Sequence, residues 1–264
     1  MGWTVESRSI RSVLSLLLLL PVLLSCNKDP LEIEDDRLPD ADLRVLFVGN
    51  SLTYTNRLPE MVQTIAEATG HTMAIGMVAL PNVSLEDHWL NGIERTILSV
   101  EADVVVMQQG PSSLPQNQEH LRAWTEILAD PIRDAGGEPA LFMVWPEITR
   151  VNAFGAVYQS YQEAATAVNG IFIPAGLAWV HAWELDPELQ LFGPDGFHPS
   201  SLGTAVAALT IFRVLFDEDV SVFPSRFVPV TSSLPIVDLG PAADAILLAV
   251  EVAVEATGVG VQRR

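Results

Sequence analysis

Basic residues are scarce in this chain: 14 lysines and arginines stand against 33 acidic residues, for a formal charge of -19. Such a deficit excludes the positive footprint that nucleic acids require, and it excludes electrostatic docking on anionic lipid headgroups. Cysteine occurs once, at Cys26, so no internal disulfide framework exists. No closely spaced set of His, Cys, Asp and Glu has metal-ligand spacing, and no metal site is expected. A glycine-rich phosphate cradle is lacking, which argues against nucleotide binding, and no internal repeat is found. The one long apolar run, residues 13–24, is too short to span a bilayer.

What is present is enough for one α/β domain with a single core: 264 residues, 49% of them hydrophobic. Arg8 and Arg11 precede the apolar run, which has the length of a signal-peptide core and ends in Leu23-Leu24-Ser25-Cys26. This ending resembles the lipobox of bacterial lipoproteins. The resemblance implies a signal peptide over 1–25, a lipid on Cys26, and export to the cell envelope, held at the membrane by that anchor. Ordinary secretion with an unrelated cysteine is the alternative. Residues 26–42 are polar and acidic and contain Pro30 and Pro39, the composition of a flexible tether. The folded domain is expected over 43–258.

Within the domain, apolar runs at 45–48, 72–80, 103–107, 140–145 and 171–173 read as strands, and helical spacing follows each. Helices are expected over 58–68, 84–100, 119–135, 154–168, 177–183, 202–216 and 241–256, with 217–235 irregular. Unbroken apolar strands alternating with helices predict a three-layer α/β/α sandwich around a parallel sheet of about five strands. The first strand stops at Gly49-Asn50-Ser51, which places the Ser51 hydroxyl at the carboxyl edge of the sheet, beside a helix start. Two further loops share that edge: Gln108 to Ser112, and Asp195 to His198. Acyl transfer by a serine needs a base, a group that orients the base, and donors for an oxyanion. His198 is the candidate base and Asp195 the candidate orienter.

Gly49-Asn50-Ser51 with Asp195-Gly196-Phe197-His198-Pro199 resembles the first and last blocks of the SGNH (GDSL-like) hydrolase family, over roughly residues 43–216. The resemblance implies a flavodoxin-like fold, Ser51 as nucleophile, His198 as general base and later acid, and Asp195 as orienter. It implies no cofactor. The middle blocks depart from the family pattern. Asn82, in Pro81-Asn82-Val83-Ser84, stands where the family places a glycine that donates its N–H to the oxyanion. Gln109-Gly110-Pro111-Ser112 stands where the family has Gly-x-Asn-Asp, and is similar to the Gln-Gly-Glu-Ser variant of carbohydrate acetylesterases. The expected oxyanion hole is therefore Ser51, Asn82 and Gln109, with Gln108 and Ser112 as alternatives to Gln109.

Other candidates carry two readings each. Trp145, at a strand end, either lines the substrate pocket or is a packed aromatic. His88 is a second titrating group or a residue that pins its loop. His71, His120 and His181 have no partner in sequence and are expected at the surface or in the core, and Trp179 and Trp183 in the core. The expected function is hydrolysis of a small acyl ester, such as an acetyl group on a carbohydrate. The alternatives are a non-catalytic surface binding protein on the same fold, and an acyltransferase or lipase using the same triad.

Overall fold

The computed structural model describes residues 1–2, 37–231 and 233–258. The expected signal peptide beyond its first two residues, Cys26 and most of the expected tether lie outside the described residues.

Strand β1 (Leu43–Gly49) is the centre of the fold: five of its seven residues form one unbroken buried run, because sheet neighbours flank it on both sides. Asn50 caps the short helix α1 (Ser51–Tyr54), and after a kink α2 (Leu58–Ala68) begins with Pro59 in its first turn. Next come β2 (Met73–Ala79), α3 (Leu85–Leu90), α4 (Ile93–Val100) and β3 (Val104–Met107). Helix α5 (Pro115–Asp134), β4 (Glu138–Phe142), α6 (Phe154–Ala167), β5 (Ile171–Ile173), α7 (Ala175–Leu185) and α8 (Ser201–Phe216) complete the alternation. A two-residue antiparallel pair, β6 (Arg226–Phe227) with β7 (Val237–Asp238), precedes α9 (Ala243–Thr257).

The five long strands pair in parallel in the order β2-β1-β3-β4-β5. This is the flavodoxin-like order, whose switch point lies between β1 and β3. Helices α4, α5 and α6 pack side by side as one group, and α2, α8, α9 and α7 as another. No helix among the described residues is long and apolar enough to cross a membrane.

Two expectations are corrected. The helix expected over 84–100 is two helices. Ser84 and Asp87 form the capping box of α3, but the chain breaks at Asn91-Gly92, where Gly92 takes φ +81° and starts α4. The domain also begins before residue 43. Leu38 packs against the core and donates its N–H to Val100 O at 3.2 Å, Arg37 pairs with Glu101, and Asp42 bonds Thr72. A leucine followed by acidic residues reads as tether in composition, yet that side chain together with these polar contacts docks it.

Candidate active site

Ser51 is the first residue of α1, buried at the carboxyl end of β1. Its turn is held from several sides. The Asn50 side chain accepts from Leu52 N at 3.1 Å and donates to Val83 O at 3.1 Å, which ties the turn to the loop carrying Asn82. Gln108 Oε1 accepts from Asn50 N at 3.1 Å and Thr53 Oγ1 at 2.9 Å, and Gln108 Nε2 donates to Gln109 O. A Cβ on Gly49 would stand 2.2 Å from Thr53 Oγ1 and 2.7 Å from Gln108 Oε1, so only glycine admits this approach. His88 donates from Nε2 to Gly49 O at 2.8 Å, and burial lowers its pKa. It is a neutral pin on the end of β1, as the second of its two readings had it.

His198 arrives on a loop closed on itself. Gly193 N bonds His198 O at 2.8 Å, and Ser200 N bonds Leu191 O at 2.8 Å. Asp195 Oδ1 accepts from the backbone N–H groups of Phe197 at 3.0 Å and His198 at 2.9 Å. Asp195 Oδ2 lies 2.5 Å from His198 Nδ1, and His198 Nε2 lies 2.8 Å from Ser51 Oγ. A carboxylate only accepts, so Nδ1 carries the proton and Nε2 of the neutral ring is left as the acceptor for the serine hydroxyl. Serine, imidazole and carboxylate thus form one directed chain across 147 residues of sequence.

The His198 hydrogen bond, followed by the Phe197 N–H, lowers the Asp195 pKa from 3.8 to about 2. A carboxylate depressed in the folded state contributes its bonds fully above its unfolded pKa and loses them as pH falls through the folded one. A carboxyl-carbon NMR titration of Asp195 is therefore expected to show a midpoint near 2, with the loop intact at pH 4. A midpoint at the ordinary aspartate value would show that the Nδ1 bond does not form in solution.

A cavity of about 400 Å³ opens beside Ser51, with Asn82, Gln109, Ser112, Asn117, His120 and Phe197 on its walls. Asn82 takes φ +58°, the left-handed conformation in which it can stand in for glycine. Gln109 Oε1 accepts from Leu85 N at 3.2 Å, while its Nε2 donates to Ser112 Oγ at 3.0 Å and lies 3.4 Å from His120 Nδ1. Of the candidates in this loop, Gln108 is spent on the nucleophile's turn, and Gln109 and Ser112 face the cavity.

Trp145 does not line the cavity. It is fully buried, stacks on Trp179 with centroids 3.8 Å apart, and donates its indole N–H to Phe197 O at 3.0 Å. Its pocket reading is corrected to a core residue that anchors the histidine loop, because the Trp179 ring claims its face and the Phe197 carbonyl its N–H. His120, expected at the surface or in the core, is partly exposed and stands on the cavity wall with Nε2 2.9 Å from Glu86 Oε2. Its position in the first turns of a helix that leaves the active edge is the signal that sequence reading passed over. Among the described residues, no group of three or more His, Cys, Asp and Glu could hold a metal ion.

The fold is that of the SGNH hydrolases, a three-layer α/β/α sandwich, with the candidate site here at the β1/β3 switch point. No family model and no curated protein matches the chain. Solved structures do. A DUF4886 family protein from Bacteroides uniformis is similar over 81% of this chain and 95% of its own, with a TM-score of 0.67 and 20% identity. A proposed SGNH hydrolase from Slackia heliotrinireducens matches 65% of this chain and 97% of its own, with a TM-score of 0.54 and 22% identity. A catalytic mutant of Axe2, an acetylxylan esterase from Geobacillus stearothermophilus, matches 66% of this chain and 94% of its own, with a TM-score of 0.51 and 13% identity.

Proposed function

We propose that this protein is a serine esterase of the SGNH type, acting on small acyl esters, with acetyl groups on carbohydrates as the favoured substrate. One observation carries the reading: a hydroxyl, an imidazole and a carboxylate from distant loops lie within hydrogen-bond reach, in the order that acyl transfer needs. Ser51 Oγ attacks the ester carbonyl carbon while His198 Nε2 takes the hydroxyl proton. Asp195 holds the ring and stabilises the imidazolium. The oxyanion rests on the N–H groups of Ser51 and Asn82 and on Gln109 Nε2, whose 3.4 Å contact to His120 is weak enough to exchange. Collapse expels the alcohol, which takes the proton from His198. Water, deprotonated by His198 in turn, attacks the acyl carbon, and collapse breaks the bond to Ser51 Oγ, which takes the proton back from His198 as the acid leaves. No cofactor enters the cycle.

The choice of substrate rests on the cavity, whose walls carry amide, hydroxyl and imidazole groups and whose volume of about 400 Å³ suits a short acyl group on a polar alcohol. The acetylxylan esterase among the similar structures fits this choice. Export and a lipid anchor on Cys26 would place the enzyme where polysaccharide is met. A panel of acyl-chain lengths and acetylated sugars tests it: acetyl esters are expected to be turned over fastest, and a preference for long acyl chains would overturn the substrate assignment. Gln109→Ala is expected to lower kcat about 10²-fold, the usual effect of losing one oxyanion donor. A change confined to KM would move Gln109 to substrate binding.

A further inference from the structure

We infer that Asn56 is a positioning residue that sets the distance between the nucleophile and its base; the inference rests on the esterase reading of the same site. Between α1 and α2 the chain passes through two successive non-glycine residues in the left-handed region, Asn56 at φ +54° and Arg57 at φ +62°. Such backbone is unfavourable for residues with a Cβ and persists where surrounding bonds over-determine it. Here they do. The Asn56 side-chain Nδ2 donates to Pro199 O at 2.9 Å and to Thr204 Oγ1 at 2.9 Å. Pro199 directly follows His198, and Thr204 lies in the first turn of α8, which the histidine loop feeds.

The histidine loop needs outside support, because His198 and Asp195 expose 36% and 52% of their side chains. Its β4 side is held by Trp145 Nε1 on Phe197 O and by Ile148 N on Gly196 O at 2.7 Å. Asn56 holds the other side, from five residues past Ser51 on the same short segment. Without it the nucleophile's segment loses its two side-chain bonds to the base's loop and to α8, and a misplacement of about 1 Å at a reacting centre costs about 10²-fold. The kink is thus the means by which one amide reaches across from the nucleophile's helix to the base's loop.

Asn56→Gly keeps the left-handed backbone at no steric cost and deletes the two bonds. Asn56→Asp keeps the shape and replaces the donor with an acceptor facing two oxygens. With p-nitrophenyl acetate as the probe, both are expected to lower kcat about 10- to 100-fold, with KM within about twofold and a cooperative melt retained. If Asn56→Asp fails to fold, Thr204→Val, which removes one of the two acceptors, is expected to give a smaller loss of kcat in the same direction. Asn56→Gly with a kcat within about twofold of the parent would overturn the inference. A second readout does not depend on turnover. The parent is expected to show a downfield His198 Nδ1 proton resonance, broadened in Asn56→Gly by loop motion. An unchanged resonance would overturn the positioning role, whereas a parent that neither turns over the ester nor reacts at Ser51 would overturn the esterase reading instead.

Discussion

Ser51→Ala is expected to abolish acetyl-ester turnover, by about 10⁴- to 10⁶-fold in kcat, the scale on which triad nucleophiles count. The expectation follows from geometry in which no other hydroxyl replaces it. Thr53 Oγ1 is buried and committed to Gln108, and Ser112 Oγ is committed to Gly110 O and Gln109. The substitution removes one hydrogen bond, to His198, and leaves the cap of α1 intact, because Asn50 supplies that cap. The thermal melt should therefore move by no more than a few degrees, as one bond worth about 1 kcal/mol would dictate. A variant that keeps half its rate would show that the hydroxyl beside His198 is not the nucleophile.

Gly203→Ala carries the largest expected effect on stability. An added Cβ would stand 2.1 Å from Leu191 O and 2.5 Å from Trp179 Cζ2. Neither neighbour can give way. Leu191 O already accepts from Ser200 N, and Trp179 is fully buried, stacked on Trp145, and donates to Gly203 O at 3.0 Å. Forcing the first turn of α8 outward should cost about 3 kcal/mol or more and lower the melt by about 6 to 12 °C. Turnover should fall with it, because Leu191 and Ser200 bracket the loop that presents His198. A control is at hand in Gly155, where a Cβ meets nothing within 4 Å. Gly155→Ala should leave the melt unchanged or raise it slightly. An unaltered melt in Gly203→Ala would show that the packing of α8 on the tryptophan pair is looser than described.

What could be read from the chain divides by range. The five strands were legible because each is a short apolar run closed by Gly, Pro or a polar turn, and a parallel sheet buries its central strands, here β1 and β3, on both faces. Ser51 and the Asp195–His198 pair stood out as candidates because their chemistry is local, a small turn after a strand and a carboxylate three residues before an imidazole, and the structure places the three within hydrogen-bond reach. Gln109 was favoured in the sequence with Gln108 and Ser112 left as alternatives, since neighbours on an extended segment face opposite sides, and only the folded loop says which side holds the cavity. Asn56 and His120 stayed hidden because their partners lie 143 and 34 residues away. Trp145 was ambiguous for the same reason: the Trp179 stack and the Phe197 carbonyl that claim it come from other elements.

The claim on which the functional account depends is that His198 makes the Ser51 oxygen a nucleophile. Intact-mass measurement after exposure to a fluorophosphonate tests it most directly, with peptide mapping of any adduct. The account predicts one adduct per chain, on Ser51, suppressed in His198→Ala and abolished by prior denaturation. A chain that stays unmodified while folded, or that carries its adduct on another residue, would contradict it.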